Sequence, residues 1–168
     1  MCDSTLILAV ATVVLAGATV WLAIEARNGT LRQIGVQTWL NLEQRFDSPE
    51  MKQARKVLAE QLDPYNPVLH DNIAEGVLDL FESIGTVHSL KLLNKKLAGS
   101  SFSWYANHWW EAAKPYIDEE RRRRGDDKSL YSEFEAFVKA MRKYDPKITS
   151  EDMREFLKIE KNIKTAIS

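Results

Sequence analysis

A single cysteine, Cys2, in 168 residues excludes an intramolecular disulfide framework and every cysteine-rich zinc pattern. Seven glycines and five prolines are too few for a collagen-like or linker-dominated chain. There is no phosphate-cradling glycine-rich loop, and no Ser, Cys or Thr stands in a recognisable nucleophile motif, so the sequence carries no positive sign of catalysis. Net charge is close to zero, with 23 Lys and Arg against 24 Asp and Glu. A neutral chain has no overall field to gather nucleic acid, and any such binding would need a local patch. Charge is missing above all from the N-terminus: residues 1–24 hold one charged side chain, Asp3, and everything else charged follows. What is abundant is apolar and aromatic, five Trp included, enough to pack the core of one ordinary domain.

Thr5 to Ile24 are 20 residues without a charge, mostly Ala, Val, Leu and Ile. As a helix they span about 30 Å, the thickness of a bilayer core. A cleaved signal peptide is the rival reading, and Ala16-Gly17-Ala18 offers it a small-x-small site. Such peptides open with Lys or Arg and have a shorter apolar region, whereas this chain opens Met-Cys-Asp-Ser, so the anchor is the better reading. Arg27, Arg32 and Arg45 follow the span and only Asp3 and the terminal amine precede it, which predicts a cytoplasmic C-terminal domain and an outside N-terminus. Trp21 falls at a depth suited to the membrane interface. Cys2 follows no lipoprotein leader and reads as an incidental thiol. Within the span, Thr5, Ala9, Thr12, Ala16, Thr19 and Ala23 recur at alternating spacings of four and three. They draw a stripe of small residues along which a second helix can approach closely, the condition for helix association in lipid.

After the span the periodicities are helical throughout. Leu31, Ile34, Trp39, Leu42 and Phe46 mark a helix over about 31–45. Whether it continues the membrane helix through Asn28-Gly29 is open, because Gly costs only about 1 kcal/mol relative to Ala in a helix. Asp47-Ser48-Pro49-Glu50 predicts a new start, with Ser48 as N-cap and Pro49 at the first helical position, and this second helix ends at Asp63-Pro64-Tyr65-Asn66-Pro67. A third helix over about 70–96 carries Ile73, Val77, Leu80, Phe81, Ile84 and Val87 within roughly 120° of its circumference. Gly99-Ser100-Ser101 reads as a stop and a new N-cap for a fourth helix bearing Phe102, Tyr105, Trp109, Trp110, Ala113, Tyr116 and Ile117. A fifth covers about 129–144 and ends at Asp145-Pro146. A last helix is capped by Thr149 or Ser150 and carries Met153, Phe156, Leu157 and Ile163.

Five groups of residues invite a chemical role. Asp71, Glu75, Asp79 and Glu82 share one face of the third helix, the geometry of a cation-binding ridge, but they lie opposite its apolar stripe, so a solvated face is the better reading. His108 and Glu111 are one turn apart, a weak echo of di-iron pairs in reversed order and without a second copy, and His108 is expected on the polar side of its helix. His88 borders an apolar stripe, where a lone histidine is usually a core or boundary residue, and His70 falls near a helix start. Arg121, Arg122, Arg123 and Arg124 could neutralise phosphates, yet Asp118, Glu119 and Glu120 each precede an arginine by four residues. A self-paired helix end closed by Gly125 is therefore favoured over phosphate binding. Trp104, Tyr105, Trp109 and Trp110 form an aromatic cluster in which Trp104 points about 140° away from Trp109, so Trp104 is expected to be exposed and to mark a contact surface.

The run Arg45-Phe46-Asp47-Ser48-Pro49-Glu50-Met51 with Ala54-Arg55, the run Val77-Leu78-Asp79-Leu80-Phe81-Glu82-Ser83-Ile84-Gly85, and the segments Trp110-Glu111 to Tyr116-Ile117 and Arg121 to Tyr131 resemble a bacterial membrane-anchored helical family catalogued only as a domain of unknown function. The resemblance covers roughly residues 39–140. It implies an N-terminal span and a cytosolic helical domain, and carries over no catalytic residue.

The sequence thus predicts an all-α chain, a single N-terminal transmembrane helix followed by an irregular bundle of five or six helices, with a membrane anchor and short leader over residues 1–28 and a cytoplasmic helical domain over residues 29–168. The expected function is that of a single-pass inner-membrane protein whose cytosolic domain binds protein, as scaffold, regulator or accessory subunit of a membrane assembly. Its expected partners are the bilayer, another transmembrane helix of the same or a foreign chain, and a protein; no cofactor is expected, and nucleic acid is disfavoured. Two alternatives stand beside this: a metal-binding protein or enzyme with a site between the third and fourth helices, and an anionic-lipid or nucleic-acid binder acting through Arg121 to Arg124.

Overall fold

The computed structural model describes residues 3–62, 72–93, 95–142 and 148–164, with their side chains except at 3–8, 72, 73, 95–98 and 100. The expected breaks at Asp63-Pro64-Tyr65-Asn66-Pro67 and Asp145-Pro146, together with Cys2, His70 and Asp71 and the side chains of Thr5 and Ile73, lie outside the described residues. Among the described residues there are six helices and no strand, the all-α architecture expected.

The first helix, α1 (Asp3–Phe46), is 44 residues long and runs unbroken through Asn28 and Gly29. At 1.5 Å per residue it is a rod of about 66 Å. Asp47 and Ser48 turn the chain, and α2 (Pro49–Gln61) starts as its sequence predicts: the Ser48 hydroxyl accepts the Met51 N–H at 3.1 Å, and Pro49 takes a position whose missing N–H costs nothing.

The third helix, α3 (Asn72–Ser89), is shorter than the expected 70–96. The Lys91 N–H donates to the His88 carbonyl and the Leu92 N–H to the Val87 carbonyl, a Schellman closure with Lys91 in the left-handed conformation at φ 58°. Glycine normally signals such a closure and here lysine takes its place, which hides the stop from a sequence reading. The fourth helix, α4 (Lys95–Arg123), corrects the opposite error, because Gly99-Ser100-Ser101 lies inside it. Gly99 is buried there and its carbonyl accepts the Ser103 hydroxyl at 2.5 Å, so the glycine is an interior packing position and not a stop.

The fifth helix, α5 (Ser132–Met141), follows Tyr131 at φ 55°, which gives no side-chain cap. Glu82 on α3 supplies it from outside, its carboxylate accepting the N–H groups of Glu133 at 3.2 Å and Phe134 at 2.7 Å. This tertiary cap depends on Gly85, where a Cβ would run into the Glu133 carbonyl. Phe81 and Phe134 stack beside it with centroids 5.0 Å apart. The last helix, α6 (Ser150–Lys161), opens on a capping box in which Thr149 and Asp152 satisfy each other's backbone N–H.

Two contacts set the direction of the bundle relative to α1. Phe46 meets Phe81 with ring centroids 6.1 Å apart, and Gly35 is pressed against the Leu92 carbonyl so closely that it has no room for a Cβ. Eleven residues back along α1 thus match eleven forward along the chain of α3, which runs antiparallel to it. Then α4 descends from that corner past Phe46, touching it through Phe102 at 5.9 Å and Tyr105 at 4.7 Å. The domain therefore hangs from the last third of α1, with the α3–α4 corner toward the apolar half of the rod and the C-terminal end of α4 away from it. The core between them is continuous, from Leu42 and Phe46 of α1 through Leu58, Val77, Phe81, Ile84, Phe102, Trp109, Ile117, Phe134 and Phe137 to Phe156 of α6.

Candidate functional site

The apolar half of α1 stands clear of the domain. From Ala9 to Ile34 every side chain is exposed, Val13 by 72%, and the helix is long and apolar enough to cross a membrane. Of the predicted stripe, Ala9, Thr12, Ala16, Thr19 and Ala23 are all exposed on it. The Thr19 hydroxyl donates back to the Leu15 carbonyl at 2.8 Å, which satisfies it in an apolar medium. At 100° per residue the stripe is centred about 120° round the helix from Gly35, Leu42 and Phe46, the face that the domain occupies. A second helix lying on the stripe thus meets no obstruction from the domain.

Beneath the rod lies a feature that the sequence reading missed. Arg55 of α2 and Glu160 of α6 form a two-pronged ion pair, Nε to Oε2 at 2.8 Å and Nη2 to Oε1 at 2.6 Å, with the residues only 2% and 1% exposed. The guanidinium lies over the Phe46 ring, 4.2 Å from its centroid, and 4.9 Å from that of Tyr105. One buried pair therefore ties the end of α1, α2, α4 and α6 together. A signal existed on both sides. Arg55 falls among Met51, Ala54, Leu58 and Ala59, and Glu160 follows Met153, Phe156 and Leu157 at helical spacing, so each helix places one charge on its apolar face, and the charges are opposite.

Trp104 is 40% exposed, as its angle from Trp109 predicts. Its ring is nonetheless held by Tyr105 at 4.9 Å, His108 at 4.4 Å and Phe156 at 5.2 Å. His108 corrects the expectation of a polar-side histidine. It is buried, because α6 covers that side of α4: its Nδ1 donates to the Trp104 carbonyl at 2.7 Å and its ring packs on Phe156 at 4.9 Å. Glu111 turns away to Arg142 at 2.5 Å, so His108 and Glu111, one turn apart, serve different neighbours.

The acidic face of α3 is likewise not simply solvated. Glu75 accepts the Tyr116 hydroxyl at 2.6 Å and Glu82 caps α5, both half-buried, because α4 and α5 pack beside a face that the sequence alone leaves open. Burial, helped by the Glu75 hydrogen bond, pushes the Tyr116 phenol well up from its ordinary value. Asp79 remains exposed; desolvation and the nearby Glu75 raise its carboxyl pKa, against a lowering by Arg45. His88, at the border of the apolar stripe of α3, packs edge-on against Phe137 of α5 at 5.4 Å.

The four arginines divide. Arg121 reaches across to α5, donating to the Leu130 carbonyl at 3.0 and 2.8 Å and to Glu135 at 3.0 Å, with its guanidinium 5.9 Å from the Trp110 ring. A hydrogen bond from Lys139, opposed by desolvation and reinforced by Arg121, holds the Glu135 carboxyl below its usual range. Arg122 pairs with Glu119 at 2.6 Å and Arg123 with Glu120, both at a spacing of three where four was expected, and Arg124 approaches Glu120 at 3.9 Å. Gly125, at φ 76°, then closes the helix.

No curated protein and no solved structure matches the chain. A family model matches residues 6–141, a region that begins in the apolar half of α1, includes Arg55, and stops before α6 and Glu160. The chain belongs to the family described as a domain of unknown function, DUF4760.

Proposed function

We propose that the protein is a single-pass inner-membrane protein whose helical domain lies in the cytoplasm and binds protein, as the scaffold, regulator or accessory subunit of a membrane assembly. The observation that carries this reading is the continuity of α1. One helix holds an exposed apolar span with an open stripe of small residues, and its other end is built into the domain core through Leu42 and Phe46. A helix packed on the stripe would therefore be rigidly coupled to the position of the domain. Arg27 and Arg32, just past the span, support the cytoplasmic placement. Trp104 supports a partner surface on the domain, because an indole is large, rigid and amphipathic and such residues are enriched where proteins meet.

The acid-paired arginines weaken the phosphate-binding alternative: Arg121 is engaged with α5, and Arg122 and Arg123 each hold a carboxylate. They also lie far from the span, since α4 carries Arg121 about 28 Å along its axis beyond Phe102.

Ala16→Leu tests the proposal. It adds bulk on the stripe without lowering hydrophobicity, so helix association should weaken while membrane insertion persists. Val13→Leu, off the stripe, should leave association intact. A reporter of homotypic association responds to Ala16→Leu if the span pairs with itself, and site-directed crosslinking from position 16 in native membranes reads a foreign helix. No effect in either measurement reduces the span to an anchor and removes the support that the stripe gives.

A further inference from the structure

Beyond the apolar span, α1 keeps its charges on the side that the domain occupies. Over residues 25–46 these are Glu25, Arg27, Arg32, Glu43 and Arg45, and at 100° per residue all of them lie within about 80° of the direction of Gly35, Leu42 and Phe46. The far side, from Ala26 to Gln44, is exposed and carries no charge. A helix face left in water ordinarily collects the charges of its helix. This one instead shows Ile34, Val36 and Leu40 at 43%, 49% and 44% exposure.

The same face continues the register of the membrane stripe. After Ala9, Thr12, Ala16, Thr19 and Ala23, the alternation of three and four runs on through Ala26, Thr30, Gln33, Gln37, Leu40 and Gln44, almost to the end of α1. A repeat of seven sustained over this length is the period of a left-handed coiled coil, and on a straight helix it drifts by about 20° per heptad. The drift takes the seam from about 120° to about 180° from the domain face, so outside the membrane it lies opposite the domain. From Ala9 to Gln44 the seam is about 53 Å long, and a helix about 10 Å across offers a neighbour a strip roughly 15 Å wide, so pairing buries about 800 Å² on each helix. Stable protein pairs bury about this much per partner.

What the face lacks identifies the occupant. In a parallel pair of identical chains, inserted in the same direction, each seam residue meets its own copy, and a charge would meet its like. The amides of Gln33, Gln37 and Gln44 both donate and accept, so each can pair with itself. A foreign helix imposes no such exclusion, because it can carry the opposite charge.

We propose that the occupant of this face is a second copy of the chain, the two α1 helices pairing in parallel along the membrane stripe and on through Ala26 to Gln44, with one domain on each outer flank. This inference rests on the reading of α1 as a membrane span with a helix on its stripe, and it names that helix.

The test uses the full chain in native membranes, with Cys2→Ser to remove its one thiol, single cysteines placed along α1, and a short bis-maleimide to join them. Crosslinked dimer should form at Gln33→Cys, Gln37→Cys, Leu40→Cys and Gln44→Cys. It should be largely lost at Asn28→Cys and Leu31→Cys, which are exposed on the other side of the same helix. Gln37→Glu alone, or Gln37→Lys alone, sets like charges against each other and should remove most of the crosslink at Gln44→Cys. Co-expressed with different tags, the two should restore it as dimer carrying both tags.

Equal crosslinking on and off the seam, or none from a chain that stays in the membrane, overturns the proposal, and this pattern decides even if the charged variants fold poorly. Crosslinks from the seam to another protein overturn the second copy and leave the packing of a foreign helix standing. Release of the chain from membranes by alkaline carbonate overturns the span reading itself, and the pairing with it.

Discussion

Replacing Arg55 with alanine leaves the Glu160 carboxylate buried beside Phe46 and Tyr105 without its partner. The expected loss is about 3–5 kcal/mol, and Glu160→Ala should cost a similar amount from the other side. The paired replacement Arg55→Met with Glu160→Leu should recover most of it, since two apolar side chains avoid the desolvation that the ion pair must offset. Urea unfolding of the detergent-solubilised chain, followed by tryptophan fluorescence, measures all three. If the double variant is as unstable as the single ones, the pair is not the origin of the effect. At this scale legibility was uneven. Ser48 and Pro49 act locally, over three residues, and could be read directly, while the cap of α6 was narrowed to Thr149 or Ser150 and is Thr149. Arg55 and Glu160 are 105 positions apart, and neither residue alone says which charge it will meet. His108 was misplaced for the same reason: its helix has a polar side by sequence, and only the return of α6 buries it.

Among the elements, the approach of α3 to α5 depends on the absence of one side chain. Gly85→Ala should push α5 from α3 and lengthen the Glu82 bonds to the Glu133 and Phe134 N–H groups, at a cost of about 1–3 kcal/mol. Gly76→Ala on the same helix, where a Cβ meets nothing, should be neutral or mildly stabilising through the reduced freedom of the unfolded chain. Equal destabilisation by both substitutions, measured as thermal midpoints, would show that helix propensity and not close approach controls the site. Element existence was legible from apolar spacing, because each helix must bury one face. Two boundaries were not. Lys91 closes α3 in a conformation that glycine usually marks, and Gly99, which usually marks such a closure, lies inside α4 at a buried position. In both cases tertiary packing overrides the local preference of the residue.

For the whole molecule, the apolar run and the helical character of the rest were evident from composition and period, and the belonging of residues 6–141 to DUF4760 agrees with the resemblance read over about 39–140 while extending it into the span. What the sequence left open was whether span and domain are jointed at Asn28-Gly29. They are one helix, so the domain cannot swing freely relative to the apolar half of α1, and the proposed coupling between a partner helix and the domain depends on that stiffness. The most direct measurement of the proposed arrangement is the sidedness of the domain in intact cells. Reporters active on only one side of the inner membrane, fused after Ser168, should score as cytoplasmic, and the N-terminal sequence of the membrane-bound protein should lie ahead of the span. Reporter activity on the outer side of the membrane, or a mature N-terminus near Ala18, would contradict the account.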